Sequence, residues 1–337
     1  MTECIDVFCH ILIPAYVEAA RKVQIRPLPM FDRAQSIPMM VDLDVRFRIL
    51  DEFPGYCQIP SLVSPGPELI TDPEKSPDLA KVVNDCLAGM AALFPDRFPT
   101  FVATLPLNNP EASLREAERA VTQLGAAGIQ LYTNILGQPL DRPEFLALFE
   151  LMAGLDRAVW VHPIRSQMVP DYPEEPYSKN DLWWSLGWPH ETSLAMARLV
   201  FVGLFDRFPN LVVITHHGGG TIPMMEGRMM AGMETMALRT PAGMEEANRS
   251  PLREKPDLAL RRFYADTATF GSRSSLECAL KFFGPEKMVF ASDSPFDPEL
   301  GPGFIRDGMR ILKEMDLKEE RVNAILAGNA KRVLKID

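Results

Sequence analysis

The sequence predicts an α/β fold: a (β/α)8 barrel of TIM type, with an N-terminal insertion and a tryptophan-rich loop over its mouth. Three observations predict it. Eight short apolar runs alternate with segments of amphipathic helical spacing. Histidines and one aspartate sit at the downstream ends of four of those runs, and in a barrel of parallel strands those ends converge on one mouth. The chain has 337 residues, 47% of them hydrophobic, which suits one large core. A single barrel domain over residues 1–337 is therefore expected.

The elements follow in order. Residues 4–13 read as the first buried strand. Residues 14–40, with Pro14, Pro27, Pro29 and Pro38, read as an irregular insertion folding over the mouth. Residues 41–53 have helical spacing and 57–63 form the second strand. Six further helix-then-strand units are predicted: 75–94 with 99–105, 110–124 with 128–132, 143–154 with 158–162, 191–207 with 211–216, 221–238 with 262–266, and 273–283 with 288–292. Such alternation calls for parallel βαβ units. Two segments break the rhythm. Residues 164–190 carry Trp183, Trp184 and Trp188, and a loop of that length is expected to be a lid or binding wall. Residues 239–260 are polar and read as surface. Residues 319–334 read as a C-terminal helix.

Composition excludes several classes. The net charge of -10 and the absence of a Lys/Arg block argue against nucleic acid. No apolar run reaches membrane-spanning length. Cys4, Cys9, Cys57, Cys86 and Cys278 are odd in number and unpatterned, as in a reducing compartment. No secretory signal pattern opens the chain, so a cytoplasmic enzyme acting on a small molecule is the expectation.

The chemistry-bearing residues lie in four short motifs. In Asp6-Val7-Phe8-Cys9-His10, strand alternation puts Asp6, Phe8 and His10 on one side and Cys9 on the other, with His10 nearest the mouth. Val161-His162-Pro163 ends a strand, and the proline stops it just beyond His162. Thr215-His216-His217 runs into three glycines, which let the backbone turn sharply toward a ligand. Consecutive residues face opposite ways, so one of the two imidazoles should line the cavity. His217 is the expected one and His216 the packed, hydrogen-bonded one, although the turn could reorient either. Asp293 ends an apolar run, where an ionised carboxylate needs a partner. His10, His162 and Asp293 would make a three-ligand shell with open positions for water or substrate. Zinc suits it best, and manganese or iron would also fit. His217 would stand beside it as acid or base.

These motifs, together with Ala291-Ser292-Asp293-Ser294-Pro295-Phe296 and Ile325-Leu326-Ala327-Gly328-Asn329-Ala330, resemble the amidohydrolase superfamily. The likeness is to its "amidohydrolase 2", aminocarboxymuconate-semialdehyde decarboxylase-like branch, and runs over residues 5–334. That branch also holds resorcylate, dihydroxybenzoate and carboxyvanillate decarboxylases and some hydratases and hydrolases. The resemblance implies metal ligation by His10, His162 and Asp293, and proton handling by His217. It implies that Arg228 reaches a neighbouring subunit's substrate carboxylate, in a homodimer or homotetramer. It places Trp184 in the pocket wall and leaves His190 on the surface or behind the pocket.

The chain departs from the pattern at Phe8, which stands where the branch carries a further metal ligand and is assigned here to the substrate wall. Asp6 is a poor substitute, roughly 13 Å deeper at about 3.3 Å per residue. Residues 31–40 offer no equivalent of a cationic clamp. Arg48 belongs to the first helix, and Arg26 and Arg33 are the cations that could reach the mouth.

The function implied is metal-dependent, non-oxidative decarboxylation of an aromatic or unsaturated carboxylic acid, with Asp293 or His217 protonating the ring carbon. A metal-dependent hydrolase or hydratase of a ring-cleavage product or lactone is the alternative. A metal-free acid-binding barrel is a third reading.

Overall fold

The computed structural model describes residues 3–27, 29–245 and 250–336. Its strands are β1 (Cys4–Ile11), β2 (Tyr56–Leu62), β3 (Val102–Ala103), β4 (Gly128–Tyr132), β5 (Asn134–Ile135), β6 (Gln138–Pro139), β7 (Ala158–His162), β8 (Val213–Thr215), β9 (Tyr264–Asp266) and β10 (Met288–Val289). β5 and β6 form a small antiparallel hairpin. The other eight are the barrel. β3, β4, β7, β8, β9 and β10 lie side by side in one parallel sheet, and β1 pairs in parallel with β2. The seam between β1 and the chain leaving β10 is stitched by backbone bonds. Val7 N donates to Phe290 O (3.0 Å), Asp293 N to Phe8 O (2.9 Å) and His10 N to Ser294 O (2.8 Å). On the other side β2 packs beside β3. The result is a TIM-type barrel.

Helices cover the outside, so the strands are buried on both faces and read as continuous apolar runs. Inside the ring, Val7, Phe8, Ile59, Trp160, Ile214 and Val289 fill the lumen as a packed core. Trp160 Nε1 donates to Val7 O across it (2.9 Å). A polar layer sits beside them. Asp6 accepts from Phe8 N (3.1 Å), Ser292 N (3.2 Å) and the hydroxyls of Tyr56 and Ser292. Arg46, fully buried, donates to Gln58 Oε1, to Met39 O and to the carbonyl of His10.

Residues 14–40 are helical rather than irregular: Pro14–Val23, Pro29–Gln35 and Pro38–Val41. Pro14, Pro29 and Pro38 open these helices, where the missing N–H has no intrahelical partner anyway, while Pro27 lies in the link between the first two. The helix expected over 41–53 runs Leu43–Leu50, its first amides taken by the Asp42 side chain. In the tryptophan-rich segment, Trp183 and Trp184 lie on the short helix Leu182–Ser185, and Trp188 opens the helix Gly187–Phe201. Gly203, at φ 74°, separates that helix from Leu204–Arg207. A helix at Pro302–Glu314 was not expected. The C-terminal helix contains a π turn at Ala324–Gly328. Part of the segment 239–260 falls outside the described residues. No described helix is long and apolar enough to cross a membrane.

Candidate active site

Each strand end delivers one group. His10, one residue before the end of β1, is buried, and its Nε2 lies 3.0 Å from Asp293 Oδ1. A carboxylate only accepts, so Nε2 carries the proton. Nδ1 faces Ser61 Oγ at 3.4 Å. Asp293 adopts a left-handed backbone (φ 61°), a conformation aspartate tolerates better than most residues. His162 closes β7; its Nδ1 donates to the carbonyl of Pro163, leaving Nε2 with a lone pair. Burial, reinforced by His10 and His216, pushes His162 well below the usual imidazole range.

His216 follows β8 and is fully buried. Its Nδ1 donates to Asp266 Oδ2 at 2.8 Å, and Asp266 Oδ1 accepts from Gly218 N and Ala268 N at 3.1 Å each. Its Nε2 has no partner. Burial lowers the His216 pKa, and Asp266 opposes that shift only in part. His217 enters the glycine turn at φ 54° and swings outward. It is half-buried, its Nδ1 on Ala268 O at 3.2 Å and its ring 5.1 Å from Phe270.

The structure therefore gathers His10, His162, His216 and Asp293, with His217 at the rim. Phe8 is the hub. Its ring stacks on His216 (centroids 3.5 Å, 23°) and lies 4.6 Å from His10, 5.4 Å from His162 and 6.0 Å from His217. His10 and His162 rings are 5.3 Å apart. Phe8 is fully buried.

The residues present do not fit the expected metal. Among the described residues no three His, Cys, Asp or Glu side chains group so that they could hold an ion. His10 and Asp293 are spent on each other, and the His10 nitrogen that faces Asp293 bears a proton. Phe8 brings a hydrocarbon ring where a donor would be needed. A three-ligand catalytic shell is the minimum such chemistry uses.

A cavity of about 1220 Å³ opens beside the cluster. None of the four gathered side chains lines it. Its wall reaches them through Trp188, whose ring is 5.5 Å from His162, and through Thr133, whose N–H donates to His162 O (2.8 Å). Trp183 also lines it.

Several expected residues lie elsewhere. Trp184 is 40% exposed and outside the cavity wall; on one helical turn, adjacent residues point about 100° apart, and Trp183 takes the inner position. Arg228 lies exposed on the helix Ile222–Arg239, with no ion pair among the described residues. His190 is exposed. Arg26 and Arg33 both line the cavity. Sequence reasoning missed Asp266 and Arg46. Asp266 carried the same signal as Asp293, a carboxylate ending an apolar run. Arg46 carried none, because a helix face gives no sign of reaching under the barrel mouth.

The chain has relatives among known proteins. The family model described as Amidohydrolase matches residues 29–336. A 2-amino-3-carboxymuconate-6-semialdehyde decarboxylase of Dictyostelium discoideum is 30% identical over 306 residues, covering 88% of this chain and 77% of that protein. A gamma-resorcylate decarboxylase of Rhodococcus jostii is 30% identical over 267 residues, covering 75% of this chain and 77% of that one. Among solved structures, the 5-carboxyvanillate decarboxylase of Novosphingobium aromaticivorans, complexed with manganese and 4-hydroxy-3-methoxy-5-nitrobenzoic acid, superposes with a TM-score of 0.82. It is 21% identical, with 99% of this chain and 96% of that one covered.

Proposed function

We propose, from the premise that this chain belongs to the amidohydrolase family, that it is a non-oxidative decarboxylase of a hydroxylated aromatic or ring-cleavage-type carboxylic acid. The observation that carries this reading is the dry cluster itself: neutral imidazoles with free lone pairs, each positioned by a second group, against an aromatic-walled cavity. The relatives act on acids of this class by name.

The proton carrier we assign is His216. His216 stands behind the cavity wall, so an acid seated past Trp188 and His162 would bring its hydroxyl to the free Nε2, which takes that proton while Asp266 stabilises the imidazolium through Nδ1. The electron density released into the ring makes the carbon bearing the carboxylate basic. The same proton then moves from Nε2 to that carbon. The bond to the carboxyl carbon breaks, its electron pair restores the ring, and CO2 leaves. Exclusion of water favours this step, since a charged carboxylate becomes a neutral gas. Asp293, paired with His10, and His217 at the rim are the other two proton-handling candidates.

Arg26, which has no ion pair among the described residues, is the cation in the cavity wall that draws an anionic acid into a chain of net charge -10, Arg165 and Arg33 each facing a carboxylate. Arg228, free on the surface, is available to a second subunit in a homodimer or homotetramer. The five free cysteines fit a cytoplasmic location.

The test is CO2 release from a panel of hydroxybenzoates and carboxymuconate-like acids, run in D2O. The product should carry one deuterium on the carbon that lost its carboxyl. No CO2 from any acid would sink the proposal.

A further inference from the structure

One group in the cavity wall has no part in the proton chemistry above. Glu68, on the short turn of helix Pro67–Ile70, lines the cavity yet is only 2% exposed. Its Oε2 has no hydrogen-bond partner. Other carboxylates around this cavity are paired with cations: Asp181 with Arg33, Glu191 with Arg165, and Asp141 with Arg198. Glu68 has no ion pair among the described residues. Its carboxyl lies back over Gly66, so closely that a Cβ there would sit 2.6 Å from Oε2 and 2.8 Å from Oε1. A side chain at position 66 would therefore push the Glu68 carboxyl out of its present place.

We propose that Glu68 is a specificity-determining residue that hydrogen-bonds a hydroxyl or carbonyl substituent of the bound acid. The substrate is then an aromatic acid with a polar ring substituent as well as the carboxyl group it loses. This rests on the decarboxylase reading above for the reaction, but not for the binding.

The chemistry supports the assignment. Burial raises the Glu68 carboxyl to about 8, so near neutral pH it is largely the uncharged acid, with one O–H to donate and a carbonyl to accept. An uncharged reader does not repel an anionic acid, whereas an ionised one would. The titratable groups around it are Tyr16, whose hydroxyl donates to Pro65 O (3.1 Å), and Tyr132; Arg26 and Arg33 line the same cavity. The Tyr132 ring, beside the cavity, is 5.4 Å from His162.

The experiment is a binding ladder. Quenching of the wall tryptophans is titrated with benzoate and with 2-, 3- and 4-hydroxybenzoate. The unmodified protein should bind at least one hydroxybenzoate about tenfold more tightly than benzoate. E68Q, which keeps a donor and an acceptor, should hold that preference within threefold. E68L should bring it within twofold of unity, and so should Gly66→Ala, which leaves Glu68 present but displaces its carboxyl. In the unmodified protein the preference should fade above pH 8, and in E68Q it should not. A preference that survives both E68L and Gly66→Ala overturns the proposal, as does an unmodified protein with no preference. CO2 release is measured separately, so an intact ladder without turnover counts against decarboxylation and leaves Glu68 standing.

Discussion

Replacing Phe8 by histidine tests the heart of the site. Phe8 is fully buried and stacked on His216 at 3.5 Å, so its ring contributes the full burial of a large aromatic, about 1.5–3 kcal/mol. An imidazole there loses part of that, and a buried ring nitrogen left unpartnered costs about 1–3 kcal/mol more. The metal-free variant should therefore lose about 3–5 kcal/mol. At ~2–4 °C per kcal/mol its Tm should fall by about 6–20 °C. The new ring would stand within reach of His10, His162 and Asp293 and complete a ligand set. Free metal at a hundred times its Kd would then return about 2.7 kcal/mol. The assay is thermal unfolding after chelation, with and without added Mn2+ or Zn2+, together with metal content by plasma emission. F8H should regain about half or more of its lost Tm and hold one equivalent of metal, while the unmodified protein should shift by under about 1 °C. If the unmodified protein retains one equivalent after dialysis and is stabilised by it to the same degree, the argument from Phe8 and the His10–Asp293 pair is refuted.

Three further outcomes are expected. His216→Gln and Asp266→Asn should each lower kcat by about 100-fold or more while leaving acid binding within a fewfold, because both act on the proton and not on the cavity wall; equal losses from His217→Gln alone would move the role to the rim. Trp188→Ala should weaken acid binding about tenfold or more, since that ring joins the cavity to His162, whereas Trp184→Ala should change it less than twofold. Asp6 has its pKa raised by burial from 3.8 to about 6, so between those values the folded chain holds a proton that the unfolded chain has lost. Stability should therefore fall as pH rises through that window, by about 3 kcal/mol in all. Urea unfolding of the unmodified protein and Asp6→Asn from pH 4 to 7 checks this, and a difference that stays flat with pH would contradict it.

Much of the barrel was legible in the sequence because parallel strands buried on both faces must be apolar along their length, and the helices between them must be amphipathic. All eight barrel strands fall at the predicted places, β1, β3, β8, β9 and β10 being shorter than expected. The prolines of residues 14–40 misled, since a proline marks a helix start as readily as a break, and only its neighbours' packing distinguishes the two. The strand ends pointed to His10, His162 and Asp293 by position. They could not tell His216 from His217, because alternation stops where the glycine turn begins and a positive φ at 217 then decides which ring faces in.

What the sequence determined by itself was the order of strands, the histidines at their ends and the hydrocarbon at position 8. What only the tertiary structure decided was how those groups meet. Asp293 pairs with His10 from 283 residues away, Phe8 lies flat on His216, and Asp266 orients that imidazole. The physical reason is range. Backbone periodicity and burial act over a few residues and are written locally. Hydrogen bonds and ring contacts within a closed barrel join residues whose separation in the chain says nothing of their distance in space.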